Sequence, residues 1–282
     1  MKPPIRYYGG KAKLAPWLAQ LMPELPVYVE VFAGSAAVLM ARRRVRHEVI
    51  NDADGNVVSF FRALRDHPDE LIEALRLTPY ARDEFKAAQA ACSASATSPA
   101  TNDDIERARQ FFVVTMQSFA ATTAPATGWS WSTKNNVDRP RSVQNYVTRL
   151  AAVAERLRFV HVENIDAADL IERHAAQPEV LMYLDPPYLD ETRTNPGSTG
   201  HGYAIDTKRP DDHRRWADLL RDAEATAIVS GYPSPLYDED LYAGWHRVER
   251  AWRTDLGHRG ERTEVLWSNR PIAVQHQEVL AL

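Results

Sequence analysis

The chain of 282 residues contains one cysteine, Cys92. A single cysteine excludes an internal disulfide and any cysteine-cluster metal site. Set among small residues, Cys92 is expected to be a bystander rather than a nucleophile. No run of about 18 apolar residues occurs, so no transmembrane helix is expected. The opening Met1-Lys2-Pro3-Pro4-Ile5-Arg6 lacks the apolar centre of a secretory signal. The nine histidines show no metal-ligand spacing, and no internal repeat is found. Neither charge sign dominates: the net charge is −4, which by itself argues mildly against nucleic acid as a partner. These absences lead to the expectation of a cytoplasmic protein without membrane or metal, monomeric by default.

Hydrophobic residues make up 44% of the chain and charged residues 26%, as in a globular protein with a sizeable core. The length suits one large domain, or a core with a substantial insert. Val27–Phe32 reads as a buried strand, followed by a turn and an alanine-rich helix. His47–Asn51 reads as the next strand, and a helix starts near Asp54 and reaches about Asp66. This strand–helix rhythm predicts a parallel α/β sheet. It lapses from about Thr78 to Leu157, where helical periodicity and loops prevail. Within that stretch Ala91–Thr101 reads as a flexible connection, Thr122–Arg141 as a long polar loop, and Val143–Leu157 as a helix. The rhythm resumes with a strand over Arg158–Val162, a helix over Ala167–Ala175 and a strand over Val180–Leu184. Leu189–Arg209 reads as a mobile loop. A helix over Pro210–Ala223, a strand over Ala225–Ser230 and strands at Trp245–Trp252 and Thr263–Ser268 complete the chain.

Four constellations carry chemistry. Phe32-Ala33-Gly34-Ser35 follows the first strand, where an open parallel sheet binds ligands. Gly34 lets a ligand approach the backbone, although an ordinary tight turn would use the same residues. Asp52, at the end of the second strand, can accept hydrogen bonds from both hydroxyls of a ribose, while Asp54 fits the cap of the following helix. Tyr7-Tyr8-Gly9-Gly10-Lys11 is a glycine-hinged loop with aromatics and a cation, able to wrap a small ligand. Asp185-Pro186-Pro187-Tyr188 ends a wholly apolar strand. Its prolines stop the ladder and stiffen the backbone. The Asp185 carboxylate and the Pro186 carbonyl can hold the two hydrogens of an exocyclic amine on a flat ring, localising its lone pair. Tyr188 can stack on that ring.

In content and order these elements resemble the Dam-like, D12 class of DNA adenine-N6 methyltransferases. The resemblance implies a Rossmann-like methyltransferase core at 1–77 and 158–282. It also implies a mainly helical DNA-recognition insert at 78–157. The cofactor it implies is S-adenosyl-L-methionine, bound by Tyr7, Lys11, Phe32, Gly34, Asp52 and Asp185. Asp185, Pro186 and Tyr188 would act on an adenine flipped out of double-stranded DNA. Where the family's glycine loop has a second glycine, this chain has Ala36.

In the insert, Gly128-Trp129-Ser130-Trp131 leads into Lys134, Asn135 and Asn136. Lys134, Arg139 and Arg141, with Arg193 in the loop after 188, are the expected DNA contacts, and Lys208 flanks that loop. Trp129 and Trp131 either face DNA or anchor their loop to the core. Asp166 either borders the cofactor or caps a helix. The arginines at 42, 43, 44 and 46 read as a solvated face. A cognate restriction enzyme is a possible companion. The rival readings are the same fold acting on cytosine N4, RNA adenine or a glutamine amide, and a non-catalytic DNA-binding relative.

Overall fold

The computed structural model describes residues 1–100, 105–124, 127–131, 138–188, 209–253 and 261–272. Its centre is a seven-stranded sheet of β1 (Val27–Glu30), β2 (His47–Asn51), β3 (Val160–Glu163), β4 (Val180–Leu184), β5 (Thr226–Gly231), β6 (His246–Arg253) and β7 (Glu261–Ser268). The order across the sheet is β3-β2-β1-β4-β5-β7-β6. The first five strands are mutually parallel, and β7 and β6 complete the sheet as an antiparallel hairpin. This is a Rossmann-like α/β architecture.

Period-two alternation divides the core into two layers. Tyr28, Leu181, Tyr183, Ile228 and Leu266 point to one face. Val29, Met182, Ala227, Val229 and Val265 point to the other. The second face is covered by α9 (Ala167–Ala175) and α10 (Pro210–Arg221), through Leu170, Ile171, Trp216 and Leu220. The first is covered by α1 (Ala15–Leu21), α2 (Ala37–Ala41) and α3 (Gly55–Asp66), and beyond them by α4 (Pro68–Leu77). Because both faces are covered, the central strands are continuously apolar, as β4 is at all five positions.

Residues 78–157 supply α5 (Arg82–Ser95), α6 (Ile105–Gln117), α7 (Arg139–Val147) and α8 (Leu150–Leu157). Phe85, Phe111, Phe112, Leu150 and Val153 share one apolar cluster with Phe60 and Phe61 of α3. The supposed flexible connection from Ala91 is helical as far as Ser95. Phe85, Ala88 and Cys92 recur on one buried stripe, so α5 carries a packed face through the small residues. The helix expected over 143–157 is two helices, broken at Thr148 and Arg149. The arginine cluster is not one solvated face either. Arg42 is buried, with its guanidinium over the Tyr28 ring at 4.7 Å and bonded to the Pro23 carbonyl at 3.1 Å. Among the described residues no helix is long and apolar enough to cross a membrane.

Candidate active site

The chain reverses its direction of growth between β1 and β4, whose ends pair through Glu30 and Tyr183. Such a reversal leaves a crevice at the carboxyl ends of the strands. Here the crevice is a pocket partly open to solvent. Tyr7, Lys11, Phe32, Gly34, Asp52 and Asp185, from four separate segments, all line it.

Gly34 has a φ of +47°, and a Cβ there would fall 2.9 Å from two ring carbons of Tyr7. Its N–H donates to Asp52 Oδ2 at 2.9 Å, and the N–H of Asp54 donates to Asp52 Oδ1 at 3.0 Å. Burial raises the Asp52 carboxyl to about 6. Asp54 caps α3, accepting from Asn56 N at 2.9 Å; burial and then Asp52 push it up to about 7. Asp166 both caps α9, accepting from Ala168 N at 2.9 Å, and lines the crevice. The capping reading therefore holds. Ala36 has a φ of +50°, so this chain places a Cβ in the left-handed region where glycine is free of strain.

Asn51 holds these segments in register. Its amide donates to the Val31 carbonyl at 3.1 Å and the Ile165 carbonyl at 3.2 Å, and accepts from Ile165 N at 3.0 Å. Asn164 donates to the Asp52 carbonyl at 2.8 Å.

Pro186 and Pro187 end β4, and Asp185 emerges with its two oxygens in different surroundings. Oδ1 receives the Lys11 ammonium at 2.7 Å and the Ser230 hydroxyl at 3.0 Å. Ser230 is in turn held 2.9 Å from the Tyr183 hydroxyl. Oδ2 takes no hydrogen bond from the described residues, and the Asp185 side chain remains 18% exposed. Pro186 is buried and Pro187 lines the crevice. The ring centroid of Tyr188 lies 4.7 Å from Lys11 Nζ and 4.4 Å from that of Tyr232. The Tyr188 hydroxyl accepts from Lys11 and stands 3.2 Å from Glu264 Oε1.

Two buried carboxyls here escaped the sequence reading. Glu30 lines the crevice, and its Oε2 accepts from the Tyr28 hydroxyl at 3.0 Å and Leu39 N at 2.9 Å. Burial raises it to about 8. Glu264, on β7, is 3.2 Å from Lys11. A signal existed for Glu30, an acid inside an apolar strand, a placement that needs a partner; Glu264 follows three polar residues of β7 and carried none. Ser230, a small polar residue ending an apolar strand, offered a fainter one. For Lys11, burial disfavours the charge, but Asp185 and Glu264 overcome that and hold its pKa well above the ordinary value.

Of the expected DNA contacts, Lys134 and Arg193 lie outside the described residues, as do Asn135, Asn136 and Lys208. Arg141 is exposed and 3.5 Å from Asp138. Arg139 begins α7, and its Nε is buried with no hydrogen-bond partner among the described residues. It lies close enough to Arg6 to act on it: burial and then Arg139 lower the Arg6 pKa, opposed by the phenols of Tyr146 and Tyr80. The two tryptophans part company. Trp129 donates to Gln117 Oε1 at 3.2 Å and packs on Tyr80, while Trp131 is 65% exposed. Cys92 is buried, and burial pushes its thiol up to about 12, so it is no nucleophile.

A family model described as D12 class N6 adenine-specific DNA methyltransferase matches residues 7–250. The chain is also 25% identical, over 289 residues, to the Type II methyltransferase M1.LlaDCHI of Lactococcus lactis subsp. cremoris, with 95% of each chain covered.

Proposed function

The chain belongs to the D12 class of N6 adenine-specific DNA methyltransferases, and from that premise we propose that the crevice between β1 and β4 takes S-adenosylmethionine and that Asp185 aims a flipped adenine at it. The lining supports this choice of donor. Glu30, raised to about 8, adds no charge at neutral pH, but Asp52, Asp54, Asp166 and Asp185 still outnumber the one cation in the lining, Lys11, and that surplus suits a sulfonium ligand. Phe32 and Trp216, edge to face at 4.9 Å, supply apolar wall for a nucleoside. Asp52 would take the ribose hydroxyls, with Tyr7 and Gly34 closing over the donor. S-adenosylmethionine supplies a methyl group activated by its sulfonium.

The adenine amine is a weak nucleophile because its lone pair is delocalised into the ring. Asp185 Oδ2 and the Pro186 carbonyl each accept one of its hydrogens and turn the lone pair toward the methyl group. Catalysis is mostly positioning and exclusion of water. After transfer the methylated nitrogen is acidic, and Asp185 Oδ2 receives its proton. The observation that carries this reading is the asymmetry of the carboxylate: Oδ1 is engaged by Lys11 and Ser230, which leaves Oδ2 as the acceptor.

Reaching Asp185 requires the base to leave the duplex. We assign residues 78–157 to target recognition, with Lys134, Arg139, Arg141 and Arg193 on the DNA. Arg6 and Arg139 lie near each other with no ion pair to a carboxylate among the described residues, which supports a phosphate between them. The description of the relative as a Type II methyltransferase supports a cognate restriction enzyme as companion. A cytoplasmic monomer completes the reading.

Incubation with methyl-labelled S-adenosylmethionine and duplex DNA of varied sequence, followed by digestion to nucleosides, should place label in N6-methyladenosine. Label absent from that nucleoside overturns the reading.

A further inference from the structure

Lys11 has more acceptors than an ion pair requires. Asp185 Oδ1 is at 2.7 Å, Glu264 Oε1 at 3.2 Å, and the Tyr188 hydroxyl is bonded as well. The Glu264 side chain is 1% exposed, and it enters the site from β7, beyond the segment that the family model matches. Burying a carboxylate so completely is costly unless it is paired. Its partners here are two groups that also touch Asp185.

With Asp185 as its sole partner, the Lys11 ammonium would form a neutral pair with the carboxylate that must receive positive charge. A second carboxylate changes the balance. One ammonium and two carboxylates leave the cluster with one net negative charge, beside an amine that becomes cationic only during transfer. Glu264 also bears on the orientation of Tyr188. That hydroxyl has one proton to give, and Glu264 Oε1 at 3.2 Å is nearer than Asp185 Oδ1 at 3.4 Å.

Resting on the proposed role of Asp185, we infer that Glu264 is a positioning residue of the methyl-transfer site, acting through Lys11 and Tyr188 to keep Asp185 negative and correctly aimed. Burial raises the Glu264 carboxyl and Lys11 opposes that, so the proton sits on the lysine.

The test compares wild type, Glu264→Gln and Glu264→Asp as full chains. Glu264→Gln keeps shape and an acceptor but removes the charge. Its kcat should fall about tenfold or more, the scale of one charge at short range in a protein. Its S-adenosylmethionine affinity by calorimetry should stay within about threefold, an effect of about 0.7 kcal/mol or less. Glu264→Asp, which keeps the charge, should recover part of the loss in kcat. Wild-type kcat in Glu264→Gln overturns the inference. So does a joint collapse of kcat, cofactor affinity and melting temperature that Glu264→Asp does not relieve, since that pattern marks a purely structural residue. Should Glu264→Gln not fold, Tyr188→Phe removes the hydroxyl link alone. It should lower kcat at unchanged cofactor affinity, and an unchanged kcat overturns the inference. Wild type without transfer to adenine would refute the function itself, a different result from any of these.

Discussion

The ring of Tyr7 stands where a side chain on Gly34 would have to go, with two ring carbons 2.9 Å from a Cβ built at that glycine. The N-terminal loop and the β1–α2 turn are thereby matched across the mouth of the crevice. Gly34→Ala must both strain a φ of +47° and displace Tyr7. The backbone strain should cost about 1–2 kcal/mol, read by urea unfolding. Displacing Tyr7 should weaken S-adenosylmethionine about tenfold, read by calorimetry. An unchanged affinity would show that this contact does not shape the pocket.

Asp185→Asn is expected to be no better than Asp185→Ala. Lys11 and Ser230 both donate to the Oδ1 position and so require an acceptor there. The Asn amide nitrogen is then left at the Oδ2 position, donor facing donor across the crevice. Both variants should lose about a hundredfold or more in kcat, as when a transition-state hydrogen-bond partner is removed. An Asn variant near wild-type rate would mean that Oδ2 is not the aiming oxygen.

Glu30 makes stability depend on pH in a particular direction. Its folded carboxyl keeps its proton up to about pH 8, against an ordinary value of 4.5. The folded state therefore binds the extra proton between those values, and stability falls as pH rises through that window. Asp52 and Asp54, raised to about 6 and about 7, act in the same sense. Glu30→Gln should be more stable than wild type near pH 9, by at least the roughly 1.4 kcal/mol of one pKa unit. The gap should close near pH 5. Urea unfolding at the two pH values checks this, and a gap independent of pH would refute it.

Asn51→Leu removes three hydrogen bonds between β2, the end of β1 and the segment before α9. At about 1 kcal/mol each, the loss should be about 3 kcal/mol. S-adenosylmethionine binding should weaken too, because Asp52 and Asp166 hang from the segments this amide ties together. A stable variant with normal affinity would remove Asn51 from the site's scaffold.

Arg6→Ala and Arg139→Ala should each weaken duplex binding and reduce the slope of log K against log salt by about one. Cofactor affinity should not change. Lys134→Ala should behave in the same way. A variant that loses cofactor affinity but keeps the salt slope would refute its assignment to DNA.

The parallel core was legible because its strands are continuous apolar runs and its helices carry their own caps. Asp54, Asp166 and Pro210 stand where the helices begin, and the residues from His47 to Asn51 and from Val180 to Leu184 are the strands expected of them. The region from 78 to 157 was harder to read. Its loops carry no periodicity, and the apolar stripe at the end of α5 is thinned by alanine and serine, so the helix's last residues, Ala91–Ser95, looked like a linker. The tryptophans could not be separated because burial of an isolated aromatic depends on what lies opposite: Tyr80 and Gln117 await Trp129, whereas Trp131 remains largely exposed.

The sequence by itself determined the chemistry available to this protein. A carboxylate and two prolines after an apolar strand, a glycine turn and an acidic strand end are local patterns, and local sterics and hydrogen bonding decide what each can do. Only the tertiary structure decided which oxygen of Asp185 is left without a hydrogen bond from the described residues. That choice belongs to Lys11, Ser230 and Glu264, which come from the N-terminal loop, β5 and β7 and meet because the sheet order brings β5 beside β4 and β7 beside β5. No local pattern records a charge balance assembled from four distant segments.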